Sequence, residues 1–77
     1  MYVNPLQSQI KVDNQGGSDP IYVGFSSPGA KLSDEAWKIQ KLIYESDGSI
    51  AVIFANNDDR FKHQWTQRTS YEYIIGG

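Results

Sequence analysis

Apolar and polar positions alternate along much of this chain with the two-residue period of half-buried strands. Leu6, Ser8, Ile10 and Val12 fall on one side of an extended segment, with Lys11 and Asp13 on or near the other. The surrounding composition is polar and the run ends at Gly16-Gly17. Residues 1–19 therefore read as an N-terminal arm or edge strand, or as a disordered tail. Residues 20–77 read as a single compact β-domain. Ile21-Tyr22-Val23-Gly24-Phe25 is a strand entered through Pro20, and its internal Gly24 signals a bulge or a close backbone approach. Ser26-Ser27-Pro28-Gly29 opens a loop that runs to Asp34.

Residues 36–45 satisfy two periods. Ala36, Ile39 and Ile43 share a helical face behind a capping Ser33. Trp37, Ile39, Lys41 and Ile43 also alternate as a strand, with one lysine out of pattern. Asp47-Gly48, set between this run and the β-prone 49–55, favours the strand because such a pair between apolar runs marks a hairpin. In the return strand, Ile50, Val52 and Phe54 share one face and Ala51 and Ile53 the other. Two apolar faces imply a central strand or one covered by an oligomeric partner. Asn56-Asn57-Asp58-Asp59 is a turn with capping chemistry, and Phe61 and Trp65, four apart, suit a short helical turn at about 59–67. Residues 70–74 alternate as a last strand. The expected fold is mainly β: a small antiparallel sheet or barrel-like meander of four to five strands with one short helical turn.

Composition narrows this picture in two ways. Seventy-seven residues without cysteine form no disulfide, so stability must come from packing, a metal or a partner subunit. Aromatic residues make up 13%, which suits both a core and an interface. Charge excludes more than it suggests. At −2, with both signs interspersed, the chain offers no basic stripe for phosphates, and nucleic acid is not an expected partner. The longest apolar run, 50–55, is far short of a membrane span, and the N-terminal residues lack a signal-peptide pattern, so neither a membrane nor secretion is expected.

The candidate chemistry has simpler explanations. Residues 56–59 do not follow the alternating order of a calcium loop and read better as a solvated turn. His63 is the sole histidine and has no cysteine or second imidazole beside it, so a zinc site is not expected and a surface position is. No nucleophile stands in a recognisable elbow. Basic residues around Tyr44, Trp65 and Tyr71 are interleaved with carboxylates, which favours packing over a nucleic-acid stacking platform. No catalytic, cofactor or metal residues are expected. The same aromatics could stack on sugar rings, which makes a small glycan-binding β-module using Trp37, Tyr44 or Trp65 the alternative reading.

One pattern goes further. The string Y-V-G-F-S-S-P-G-A at 22–30, A-W-K-I-Q-K-L at 36–42, Asp47-Gly48, Phe54-Ala55, and a closing F-x-x-x-W-x-x-R-x-S-Y-x-Y carried by Phe61, Trp65, Arg68, Ser70, Tyr71 and Tyr73 resemble small virion-associated proteins and domains encoded in tailed-bacteriophage genomes. The resemblance spans about 22–73. It implies a non-enzymatic structural role in the virion, as a capsid-decorating, head-associated or tail-associated subunit made in the bacterial cytoplasm. It further implies a homo-oligomer whose partners are other virion proteins, and it brings no catalytic residues. Trp37, Phe54, Phe61, Trp65, Arg68, Tyr71 and Tyr73 are the structural and interface candidates. Phe61 and Trp65 are expected to plug the end of the β-core. Arg68 is expected to pair with Asp58 or Asp59 or to lie over an aromatic face, and Tyr71 and Tyr73 to bury rings while keeping hydroxyls wet. Replacing Trp65 with alanine is expected to cost about 3–5 kcal/mol. That is enough to unfold a domain this small, and a thermal melt will show it.

Overall fold

Turn chemistry sets the strand boundaries. At the Asp47-Gly48 hairpin, Gly48 N donates to Glu45 O at 3.1 Å and Glu45 N donates to Ser49 O at 2.9 Å. Gly48 takes a φ of 91°, a left-handed conformation that glycine enters without steric cost. The Asp47 carboxylate accepts from Ser49 N at 2.9 Å and closes the turn. The computed structural model describes residues 9–17 and 19–75. It contains β1 (Gln9–Asp13), β2 (Tyr22–Ser26), β3 (Lys38–Tyr44) and β4 (Ile50–Phe54), each antiparallel to the next and adjacent in chain order. The fold is mainly β, a four-stranded open meander with little helix. Residues 36–45 belong to the sheet, and the strand periodicity wins there over the helical one. Within the N-terminal 1–19, Gln9–Asp13 forms the edge strand β1; residues 1–8 and 18 lie outside the described residues.

Register assigns every side chain to one of two faces. Gln9, Lys11 and Asp13 stand opposite Ser26, Gly24 and Tyr22 on β2; Gly24 and Tyr22 in turn stand opposite Ile39 and Lys41 on β3, and Lys41 opposite Ile53 on β4. This face is covered by the C-terminal segment. The opposite face carries the rows Ile10–Phe25–Lys38 and Val12–Val23–Gln40–Phe54, then the pairs Leu42–Val52 and Tyr44–Ile50. Nothing in the described residues covers it. β4, apolar on both faces, is an edge strand and not a central one.

Two local expectations are corrected. Residues 59–64 are not helical; a 3-10 turn occupies Trp65–Ser70 instead. His63 explains the shift. Its N donates to Trp37 O and its O accepts from Trp37 N, both at 2.9 Å, in an isolated antiparallel bridge. A residue whose backbone groups both bond sideways cannot sit inside a helix. The Asp58 carboxylate also holds the segment back, accepting from Arg60 N at 3.0 Å. Asn56 and Asn57 take φ of 53° and 55°, left-handed values that asparagine tolerates, so Ala55–Asn57 turns the chain sharply and does not start a helix. Residues 70–74 form no strand. Their tie to the sheet end is local: Asn56 N donates to Glu72 O at 2.8 Å, and Glu72 N donates to Asn56 Oδ1 at 3.0 Å.

The core sits between the covered face and this segment. Trp37, Ile39 and Ala55 are fully buried, with Tyr22 and Trp65 nearly so. The two indoles lie 5.9 Å apart at 41°, and Trp37 Nε1 donates to Lys31 O at 2.9 Å, which satisfies its polar atom. Beneath them lies Gly24, in unbroken register with both neighbours. The close approach expected there is real, and the bulge is absent. A Cβ on Gly24 would come within 2.5 Å of Trp65 Cε3 and 3.0 Å of Trp37 Cε3. Rings this confined cannot retreat without opening the core. Gly24→Ala is therefore expected to cost at least about 2–3 kcal/mol, lowering Tm by roughly 10 °C or more. Urea titration should show a lower midpoint at unchanged slope.

Candidate functional site

The covered side and the open side of the sheet do different work. On the covered side, Arg68 projects from the 3-10 turn over the Trp65 ring, its guanidinium carbon 4.6 Å from the ring centroid. It reaches β1, where Nη2 and Nε meet Asp13 Oδ2 at 2.8 and 2.9 Å. Of the two expectations for Arg68, the aromatic contact holds. Its acidic partner is Asp13 and not Asp58 or Asp59, because the turn at 65–70 carries it to the β1 edge. Asp58 instead serves its own loop, pairing with Arg60 at 2.9 Å and Lys62 at 3.0 Å. Hydrogen bonds from Arg60 hold the Asp58 carboxyl well below the ordinary carboxylate range.

The Tyr71 and Tyr73 hydroxyls each find a backbone partner. Tyr71 Oη accepts from Gln64 N at 2.8 Å, and Tyr73 Oη donates to Arg68 O at 2.7 Å. Both therefore staple the C-terminal segment to itself, which corrects the expectation that they stay wet. Burial pushes the Tyr73 phenol above its ordinary value. Tyr73 meets Tyr22 edge-on at 5.7 Å, and Lys41 Nζ lies 5.7 and 5.6 Å from those two rings. That contact accounts for the lysine that breaks the alternation in β3. His63 is buried against Tyr71, 4.8 Å between rings, and is not a surface residue. Its Nδ1 has no hydrogen-bond partner among the described residues.

Of the candidates singled out in the sequence, Trp37, Trp65, Tyr71 and Tyr73 come together in and against this core. Phe61 does not. It is 53% exposed, because the helix that would have placed it beside Trp65 does not form. Phe54 is half-buried on the opposite face, where Lys38 Nζ stands 5.2 Å from its ring. Trp37 and Trp65 offer no face to a sugar, since both rings are enclosed. Tyr44 remains exposed, its hydroxyl donating to Pro20 O at 2.9 Å.

The surface available for recognition is the open sheet face. Ile10, Val12, Ile50 and Val52 are between 49% and 59% exposed there. Lys38 is the one charge among the strand residues of that face. Ile10 and Val12 are the site residues that candidate-by-candidate reading missed. Their signal was the 6–12 alternation together with the doubly apolar β4. No pocket is found among the described residues, nor any group of three or more His, Asp or Glu residues close enough to hold a metal ion. No protein-family model, characterised protein or solved structure matches this chain.

The Asp13–Arg68 pair gives the site side a measurable pH signature. Hydrogen bonds from Gln15 N–H and from Arg68, with the attraction of its guanidinium, lower the Asp13 pKa. Its contribution is then fully present above the unfolded value, about 3.9, and lost as pH falls through the lower folded value. Asp13→Asn is expected to cost about 1 kcal/mol at pH 7, a partly exposed pair being screened by solvent. The gap between the variant and wild type should narrow as pH falls below about 3.9, as read by urea midpoints.

Proposed function

We propose that this protein is a non-enzymatic structural component of a bacteriophage particle, acting through protein–protein contacts as a decorating, head-associated or tail-associated subunit. The observation that carries the contact role is the open sheet face, whose long apolar side chains stand half exposed in a chain of −2 net charge. Contiguous apolar surface of this kind marks interaction sites. The bacteriophage assignment is supported by the pattern of 22–73, in which Trp37, Trp65, Arg68, Tyr71 and Tyr73 build one connected cluster, so the motif describes a way of closing the sheet. Its partners are other virion proteins and further copies of itself, with neither nucleic acid nor membrane among them, and its location is the virion, after synthesis in the host cytoplasm. The glycan-binding alternative loses Trp37 and Trp65 as platforms and retains Tyr44 alone.

Mass spectrometry of gradient-purified virions of the phage encoding this chain tests the proposal. The protein should co-purify at a fixed ratio to the major capsid protein and resist a high-salt wash. Abundance in the lysate with absence from particles would overturn it.

A further inference from the structure

We propose that the open sheet face packs against the same face of a second copy, forming a two-fold β-sandwich in which the C-terminal segments lie outermost. This names one contact within the structural role proposed above, but it stands on the fold and not on the bacteriophage assignment.

Four observations select a second copy as the occupant. First, β4 is apolar on both faces although it is an edge strand, and Ile50 and Val52 on its open face are exposed with no cover among the described residues. Second, the area suits a weak self-association. Four strands about 4.8 Å apart, five residues long at about 3.4 Å each, give a flat footprint of roughly 300 Å². Counted over two copies that is roughly 600 Å² before side-chain relief, below the standard interface and in the range of weak, transient contacts. Third, charge does not oppose self-association: Lys38, at the end of its row, lies over the Phe54 and Phe61 rings at 5.2 and 5.9 Å. Fourth, the uncharged polar side chain in the rows is Gln40, between Val23 and Phe54. Its amide is both donor and acceptor, so it can bond to its own copy across a two-fold axis, as an isologous interface requires. Sheets paired this way sit about 10 Å apart with strands rotated by about 30°.

Other occupants fit less well. An anionic membrane would meet a face with one lysine on a chain of net charge −2, and a small ligand would find no pocket among the described residues.

Sedimentation velocity of the purified full chain, from about 1 to 300 µM, tests the proposal. A dimer with Kd in the range of about 1–100 µM is expected from an interface at the small end. Val52→Glu on β4 and Ile10→Glu on β1 should each raise Kd about a hundredfold or more by placing a charge in a desolvated patch. Both positions are half exposed in the isolated chain, so circular dichroism of the dilute variants should stay wild-type. Should one variant misfold, Ile50→Lys replaces it. A dimer sensitive to Val52→Glu but not to Ile10→Glu would mean edge-to-edge pairing of β4 and overturn the sandwich. So would a monomer throughout the range. A monomer that binds a solvatochromic dye only after residues 2–8 are deleted would assign the face to that segment. A monomer that floats with phosphatidylcholine–phosphatidylserine vesicles would assign it to lipid. The virion composition measurement is independent of all these outcomes.

Discussion

Everything on the covered side depends on the absence of one side chain. Two indoles stand on the peptide backbone of Gly24, and the room they use is the room a β-carbon would take. Trp37 enters from just before β3 and Trp65 from the C-terminal segment, so the glycine is where the start of the sheet, its middle and the last third of the chain meet. A domain of 77 residues has little apolar area to bury. It concentrates that area in two large rings and places them against a flat floor. The Trp37–His63 backbone bridge then holds the two approaches at the spacing of a strand pair.

Polar and charged groups around those rings are fitted to the same arrangement. The Trp37 indole donates to a carbonyl, the Tyr71 and Tyr73 hydroxyls bond the backbone of their own segment, and Lys41 and Arg68 run along aromatic faces. Long cationic side chains cover ring edges with their stems while their heads reach solvent or a carboxylate. Arg68 does the most, since its head clasps Asp13 and so couples the closing turn to the far edge of the sheet. His63 Nδ1 is the exception, buried with no partner among the described residues.

The strands were legible because their signals are local. Alternation in 21–25 and 50–54 and the Asp47-Gly48 turn each act within a few residues, and the strands they mark are among those observed. The importance of Trp65 was legible from its size. The closure was not. His63 bonds Trp37 through backbone atoms, which leave no trace in residue type, and Arg68 finds a partner 55 residues away. Spacing of Phe61 and Trp65 by four predicts a shared face only if the segment is helical, and the bridge at His63 forbids that. On the open side, the doubly apolar β4 suggested a central strand or a covering partner, and its place at the sheet edge is a property of topology that period alone does not carry.

The order in which the ribosome delivers these parts has a consequence. The three hairpins pair neighbours in sequence and so have short loops to close. Trp65 and the residues after it follow the sheet in the chain, and they are what covers Trp37, Ile39 and Gly24. Until those residues dock, the meander is therefore a bare sheet, apolar on both sides. A nascent sheet in that condition is vulnerable to sticking to its neighbours on the same polysome. Each new chain is thus exposed for the interval between pairing of the strands and docking of Trp65 to Tyr73, and anything that slows that docking lengthens the exposure without altering the finished molecule.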